Sequence, residues 1–411
     1  MKLSKTDRYN FIQLVAFSIL LFFLSCNSYL DGENIAIYTL NYNHGLMENA
    51  LIGTFYQCMV SLLGLDLKSY VTLQIFNMVF NVIYFLLLMN LFRQVVLRAG
   101  DLEDKSKYLV LVIASIVLVS NFGLHKNFGS VDLYLAIITL ICLELLMKDK
   151  MTWLVLPLAV LAQFIYSGYI IMYFLVLLAT MIYLSYKRHG KYKNLILISC
   201  ATVFSTMIVL HILTGMTESG SMLLDSATAG QAMLDAIMNS AQDASRLNGP
   251  AEIRPDIYGG IVWGGDLWIT KKHIIEVFIA LVLFAPFIKL AMDFIKNLKS
   301  KMDKEEARFF RVFSVIAIIM MPRALLHSGT GRIIFLLLFY ACVILLIALA
   351  EGQQSLDRTI VEMTAYFADK KIYGIFLLVY MIMLLPTWGT SINWMTGHIA
   401  NLINTLFLHI W

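Results

Sequence analysis

Apolar residues fall along the chain in long blocks, and charged residues gather in the short stretches between them. About 20 consecutive apolar residues carry a helix across roughly 30 Å of hydrocarbon. Blocks close to that length occupy 11–30, 70–92, 108–122, 131–147, 152–167, 169–186, 194–213, 273–292, 312–326, 333–350 and 372–386. The pattern predicts an all-α, polytopic helical membrane protein with about eleven transmembrane helices in a single integral membrane domain over 1–411. The first block follows Lys2, Lys5 and Arg8 and is read as an uncleaved span rather than a signal peptide.

Charge orients the bundle. With the N-terminus inside, the stretches 1–10, 93–107, 148–151, 187–193, 289–311 and 351–371 are cytoplasmic and hold 23 of the 31 Lys and Arg residues. Such a bias marks cytoplasmic loops, and it puts the C-terminus outside. The apolar stretch 51–64 is only 14 residues long, and a crossing there would invert the bias. The segment 31–64 is therefore expected to be an outer loop with interfacial helices. A large outer loop runs over 214–272, with a stretch at 220–247 suited to surface helices. The amphipathic stretch 351–371 is expected to rest on the inner interface.

Composition narrows the class. The chain is 60% hydrophobic and 14% charged, with mean hydropathy +0.77, which excludes a water-soluble globule and a disordered chain. Basic residues alternate with apolar blocks instead of forming one basic face, so no nucleic-acid partner is expected. The five cysteines lie in apolar segments without Cys-x-x-Cys spacing and read as small buried side chains. The absence of an Asn-x-Ser/Thr sequon favours a bacterial cytoplasmic membrane.

Polar residues capable of chemistry cluster on the outer side. Asp31-Gly32-Glu33 follows the first span, with Asn41, His44 and Glu48 beyond it. Two carboxylates so placed can share a divalent cation, or one can act as a general base. They can equally be ordinary interfacial polarity. At the start of the fourth span, Asp132 can cap the helix N-terminus, where negative charge is favoured, or bind a metal or sugar. Between the ninth and tenth spans, Arg323, His327 and Arg332 flank a Ser/Gly/Thr turn whose backbone N–H groups and guanidinium forks suit phosphate oxygens; snorkelling arginines are the alternative. In the large outer loop, Arg246, Arg254 and Asp256 lie near Trp263 and Trp268, a composition suited to sugar rings as well as to plain loop structure.

The acidic pair just past the first span, followed by short outer-face helices, resembles the GT-C class of membrane glycosyltransferases. The resemblance implies Asp31 as base or metal ligand, Glu33 as second carboxylate, and Mg2+ or Mn2+ as the cation. The run NYNHGLMENALIGTF at 41–55 is similar to a motif of a membrane family encoded with capsule and exopolysaccharide genes. Glu48 and Asn49 stand where that family has a basic pair. Gly129, Ser130 and Asp132 match its start of the fourth span. Gly331 and Arg332 match its acidic-x-Gly-Arg turn, with Ser328 or Gly329 in place of the acid. O-antigen-type polymerases have large outer loops with functional arginines, which implies an acceptor role for Arg246, Arg254 and Asp256.

The expected function is transfer or polymerisation of polyprenyl (di)phosphate-linked sugars on the outer face, with a glycan or lipid-linked glycan as acceptor. Asp31, Glu33, His44 and Asp132 are the catalytic candidates; Arg323, His327 and Arg332 are the donor-phosphate candidates. A glycolipid flippase would need ionisable or polar residues along a path through mid-membrane, and within the spans only Glu144 and Glu276 are acidic besides Asp132. A non-catalytic scaffold would leave the outer acids without a chemical role.

Overall fold

The computed structural model describes residues 4–25, 30, 32–42, 50–99, 102–119, 129–166, 168–218, 221–240, 271–326 and 330–384. All regular structure among them is helical, without strands. Helices occupy most of every long apolar block: α1 (Lys5–Ser25), α4 (Tyr70–Arg98), α5 (Asp104–Val119), α6 (Val131–Lys148), α7 (Val155–Ile165), α8 (Leu175–Lys187), α9 (Lys193–Glu218), α11 (Lys271–Lys301), α12 (Lys304–Leu326), α13 (Thr330–Ala350) and α15 (Lys371–Leu384). The expected surface segments are helical too: α2 (Gly32–Thr39), α3 (Ala50–Leu62), α10 (Ser221–Ser240) and α14 (Gln354–Asp369).

Among the described residues, three helices are long and apolar enough to cross a membrane: Tyr70–Arg98, Ile170–Lys187 and Lys193–Leu213. The second continues α8 backwards through a π-helical turn, Ile170–Phe174. Leu336–Ala350 joined to α14 would be a fourth, but the pair bends by 108°. Other helices miss for local reasons. Helix α5 has 16 residues, about 24 Å of rise, and α6 carries Asp132, Glu144 and Lys148 within 18 residues.

The chain divides into two compact units within α4, between Leu87 and Leu88. One comprises Met1–Cys26, Leu88–Leu124 and Gly264–Trp411. In it α1 packs along α5, with the Ser18 and Ser115 hydroxyls 2.7 Å apart. The buried Lys107 ammonium lies 3.1 Å from both Asp7 and Asp104. Burial pushes the Asp7 carboxyl up, but hydrogen bonds from Ser4, Lys107 and Tyr108 and the Lys107 charge outweigh it and hold it low. Helices α12 and α13 pair, and the Tyr340 hydroxyl donates to the Phe313 carbonyl at 3.1 Å. Beyond the bend, α14 buries Ser355, Leu356, Thr359 and Ile360 on one face and exposes Arg358, Glu362 and Tyr366 on the other, as an interfacial helix does.

The other unit comprises Asn27–Leu87 and His125–Trp263. Its centre is α6, where every residue from Val131 to Leu140 is buried. Staples close the C-terminal end of α6. Arg188 donates to the Leu146 carbonyl at 3.0 Å, and the Tyr192 hydroxyl donates to Asp149 at 2.7 Å. Hydrogen bonds from Lys191 and Tyr192 hold the Asp149 carboxyl below the usual carboxylate range. Burial, with the Asp149 bond, pushes the Tyr192 phenol up to about 12. Along α4, Val71, Ile75, Val79, Val82 and Leu86 form one exposed stripe, and Leu197, Phe204, Ile208 and Ile212 are exposed on α9. Contiguous exposed apolar surface of this kind suits lipid rather than water.

The four described cysteines, Cys58, Cys142, Cys200 and Cys342, are free thiols. Three of them are at least partly buried, as expected, but Cys58 on α3 is exposed.

Candidate functional site

The segment expected to form an outer loop folds as a helical hairpin of α2 and α3. Helix α2 has eight residues, and Asn34, Ile35, Ala36, Tyr38 and Thr39 in it are all buried, with Ile37 half-buried. It meets α3 at Gly53. A Cβ at that position would sit 1.8 Å from the Leu40 carbonyl oxygen and 2.8 Å from that of Ile37, so only glycine lets the two backbones approach. Thr54 accepts the Tyr42 backbone N–H at 3.1 Å and donates to the Ala50 carbonyl at 2.7 Å. Asn41 donates to Gln57 at 2.8 Å, and Gln57 donates to the Tyr38 carbonyl at 3.2 Å. The Leu-Ile-Gly-Thr run at 51–54 thus closes the hairpin. At 13 residues α3 is about 20 Å long, short of the roughly 30 Å of a hydrocarbon core.

A buried polar knot ties this hairpin to α4 and to the start of α6. The Tyr38 hydroxyl lies 2.5 Å from Asn77 Oδ1, 2.6 Å from the Gly129 carbonyl and 3.0 Å from the Tyr134 hydroxyl. Tyr134 also reaches Asn77 Oδ1, at 3.3 Å. Each phenol has one proton to donate. Tyr38 therefore donates to Asn77 or to the Gly129 carbonyl but not to both, and Tyr134 donates to the Tyr38 oxygen or to Asn77. Asn77 donates in turn to the Leu73 carbonyl at 2.9 Å. Burial drives the Tyr38 phenol well above its ordinary value, so it stays neutral and serves as a fixed donor. The aromatic rings of Tyr56 and Phe76 pack edge-on around it.

The knot brings two of the sequence clusters into one neighbourhood. Gly129 has φ +78, and a Cβ there would lie 2.2 Å from the Leu30 side chain. Leu30 immediately precedes Asp31, and its backbone N–H is held by the Tyr70 hydroxyl at 2.9 Å. Leu30 therefore packs against the turn that opens α6. Asp132 stands in the first turn of α6 and is 6% exposed. The N-cap position belongs to Ser130, whose side chain makes no capping bond. Asp132 is therefore not the cap; negative charge in that turn is still favoured by the helix dipole.

The other candidates are placed only partly. Glu33 lies in the first turn of α2, Arg323 in the last turn of α12 and Arg332 in the first turn of α13 by backbone; their side chains lie outside the described residues. Asp31, His44, Arg246, Arg254, Asp256 and His327 also lie outside the described residues. Among those described, no three His, Cys, Asp or Glu side chains gather to hold a metal. Tyr38, Tyr70, Asn77 and Tyr134 are the site residues that sequence reasoning missed. One signal was available: Asn77 and Asn81 stand four apart in a mostly apolar stretch of α4, and buried polar groups there need partners.

Comparison with protein-family models, curated proteins and solved structures finds no match to this chain.

Proposed function

We propose that the chain is a multi-pass membrane protein that transfers or polymerises polyprenyl (di)phosphate-linked sugars at the outer face of a bacterial cytoplasmic membrane. The observation that supports this most is the knot: Leu30 and Tyr38, which flank Asp31 in the chain, are held against Gly129, three residues before Asp132. In the reaction an acceptor hydroxyl oxygen attacks the anomeric carbon, the carbon–oxygen bond to the lipid phosphate breaks, and the hydroxyl proton passes to a carboxylate. Asp31 is the proposed base, with Glu33 as second carboxylate and His44 and Asp132 in support. Arg323, His327 and Arg332 keep the phosphate role that their sequence pattern suggests, and Arg246, Arg254 and Asp256 that of acceptor contacts. Deleting the gene tests the reading through the lipid-linked glycans that build up. Single repeat units should accumulate if the protein is a polymerase, and a truncated unit if it adds one sugar. Unchanged glycolipids with unchanged polysaccharide would end the proposal.

The same reading has about eleven crossings with the N-terminus inside. The Lys/Arg bias, the length of α3 and the sharp turn into α14 support it. A reporter active only in the cytoplasm should therefore work when fused near Lys187 or Lys299 and fail near Thr214 or at Trp411. A cytoplasmic signal at Trp411 would mean an odd crossing has been miscounted.

A further inference from the structure

Two tight turns, the one after α6 and the one joining α8 to α9, are locked into a single basic ledge. Between residues 133 and 217 the chain carries six lysines and arginines, Lys148, Lys150, Lys187, Arg188, Lys191 and Lys193, against two carboxylates, Glu144 and Asp149. Six bases less two acids leave a formal charge of +4 at these turns. Both acids are engaged within the ledge. Glu144 pairs with Lys148 at 2.9 Å, and Asp149 pairs with Lys191 and accepts from the Tyr192 hydroxyl at 2.7 Å. Arg188 donates to the Leu146 and Met147 carbonyls, at 3.0 and 3.3 Å, so its charge offsets the negative end of α6. Lys150 and Lys193 are exposed, adjoin Asp149 and Tyr192 in the chain, and pair with no carboxylate among the described residues.

The surroundings of these two lysines suit a lipid phosphate. The 26-residue α9 begins at Lys193, and a helix N-terminus favours phosphate oxygens. A Cβ on Gly190 would meet the Lys193 Cε at 2.9 Å, so that side chain lies back over the turn. Apolar side chains stand beside the bases. Met151 and Trp153, next to Lys150, are 57% and 65% exposed, and Leu197 is 71% exposed. Leu197 stands four residues past Lys193 and so shares its helix face. A soluble anion makes no use of such apolar neighbours, whereas a phospholipid uses both the bases and the apolar surface. We propose that the ledge binds an anionic phospholipid of the inner leaflet, its phosphodiester held between Lys150 and Lys193 and its acyl region against Trp153 and Leu197. Basic pockets between membrane helices on the cytoplasmic side hold anionic headgroups in this way. The proposal is independent of the glycosyl-transfer reading and takes only the leaflet from the proposed topology.

The test is native mass spectrometry of the full-length protein in neutral detergent, titrated with phosphatidylglycerol. The first lipid bound should be preferred over phosphatidylcholine about tenfold or more. A lysine at a membrane surface is worth about 1 kcal/mol of attraction to anionic lipid, so Lys150→Gln and Lys193→Gln should each weaken that first site about fivefold and together about thirtyfold. Lys296→Gln with Lys304→Gln removes the same charge from exposed positions in the other unit and should leave the first site unchanged. Equal losses in the two double variants would overturn the proposal by reducing the ledge to net charge. Undiminished affinity in Lys150→Gln with Lys193→Gln would also overturn it. So would equal affinity for phosphatidylcholine, or displacement of the lipid by equimolar glycerol phosphate, which would mark a site for soluble phosphate. A reporter fused near Lys187 that is silent in the cytoplasm would overturn the inner-leaflet assignment alone.

Discussion

Asp31→Asn should lower glycan product by two orders of magnitude or more while leaving the amount of folded protein unchanged. The substitution keeps the side chain's size and removes its charge. A positioned general base contributes about 10²–10⁴ in rate, so its loss should be plain in polymer yield at matched membrane protein level. Asp132→Asn is the companion measurement. Asp132 is buried in the first turn of α6, where loss of a dipole-favoured charge costs about 1 kcal/mol. A supporting role in the chemistry should add a loss of product of about tenfold or more. Wild-type polymer in Asp31→Asn would remove that residue from the mechanism. If Glu33→Gln alone is inactive, the two carboxylates exchange roles.

Gly53→Ala should be among the most destabilising single-methyl additions in the chain. The added carbon would lie 1.8 Å from the Leu40 carbonyl oxygen, with the Ile37 carbonyl at 2.8 Å. Both obstacles are backbone, so no rotamer change relieves them. Overpacking ordinarily costs about 1–3 kcal/mol, and this contact belongs at or above the top of that range. Thermal unfolding in detergent, followed by size-exclusion profile, should show a lower melting temperature and a several-fold smaller folded peak. Gly374→Ala is the control. The nearest atoms to a Cβ there belong to the Phe367 side chain, at 3.3 Å or more, and alanine is favoured over glycine within a helix by about 1 kcal/mol. Equal stability of Gly53→Ala and the native chain would mean that α2 does not rest on α3 at this point. Because the hairpin begins at the acidic pair, the variant should also lose product beyond its loss of folded protein.

Much of the helical layout was legible from hydropathy. Each apolar block carries a helix, and so do 220–247 and 351–371, read as surface helices from their mixed composition. The hairpin within 31–64 was legible as two short helices. The role of its Leu-Ile-Gly-Thr run was not. In sequence Gly53 is one small residue among apolar ones, and only the approach of the Leu40 and Ile37 carbonyls shows why glycine is needed there. The break between 152–167 and 169–186 was visible at Tyr166–Gly168, but the π-helical turn that follows it was not, since a single extra residue per turn leaves no hydropathy signature.

Where helices form and which stretches carry charge follow from composition over about 20 neighbouring residues, so both are readable in one dimension. Which polar groups meet depends on the folded arrangement. Tyr38 and the Gly129 carbonyl are 91 residues apart, Tyr38 and Asn77 39 apart. Their contact depends on how α2, α4 and α6 are rotated about their axes and on the close packing that Gly53 and Gly129 permit. A hydropathy profile scores an asparagine or tyrosine identically whether it faces lipid, water or a partner. Burial in a low-dielectric interior then makes each unmet hydrogen bond costly, and that cost, invisible in one dimension, selects the knot beside the acidic pair.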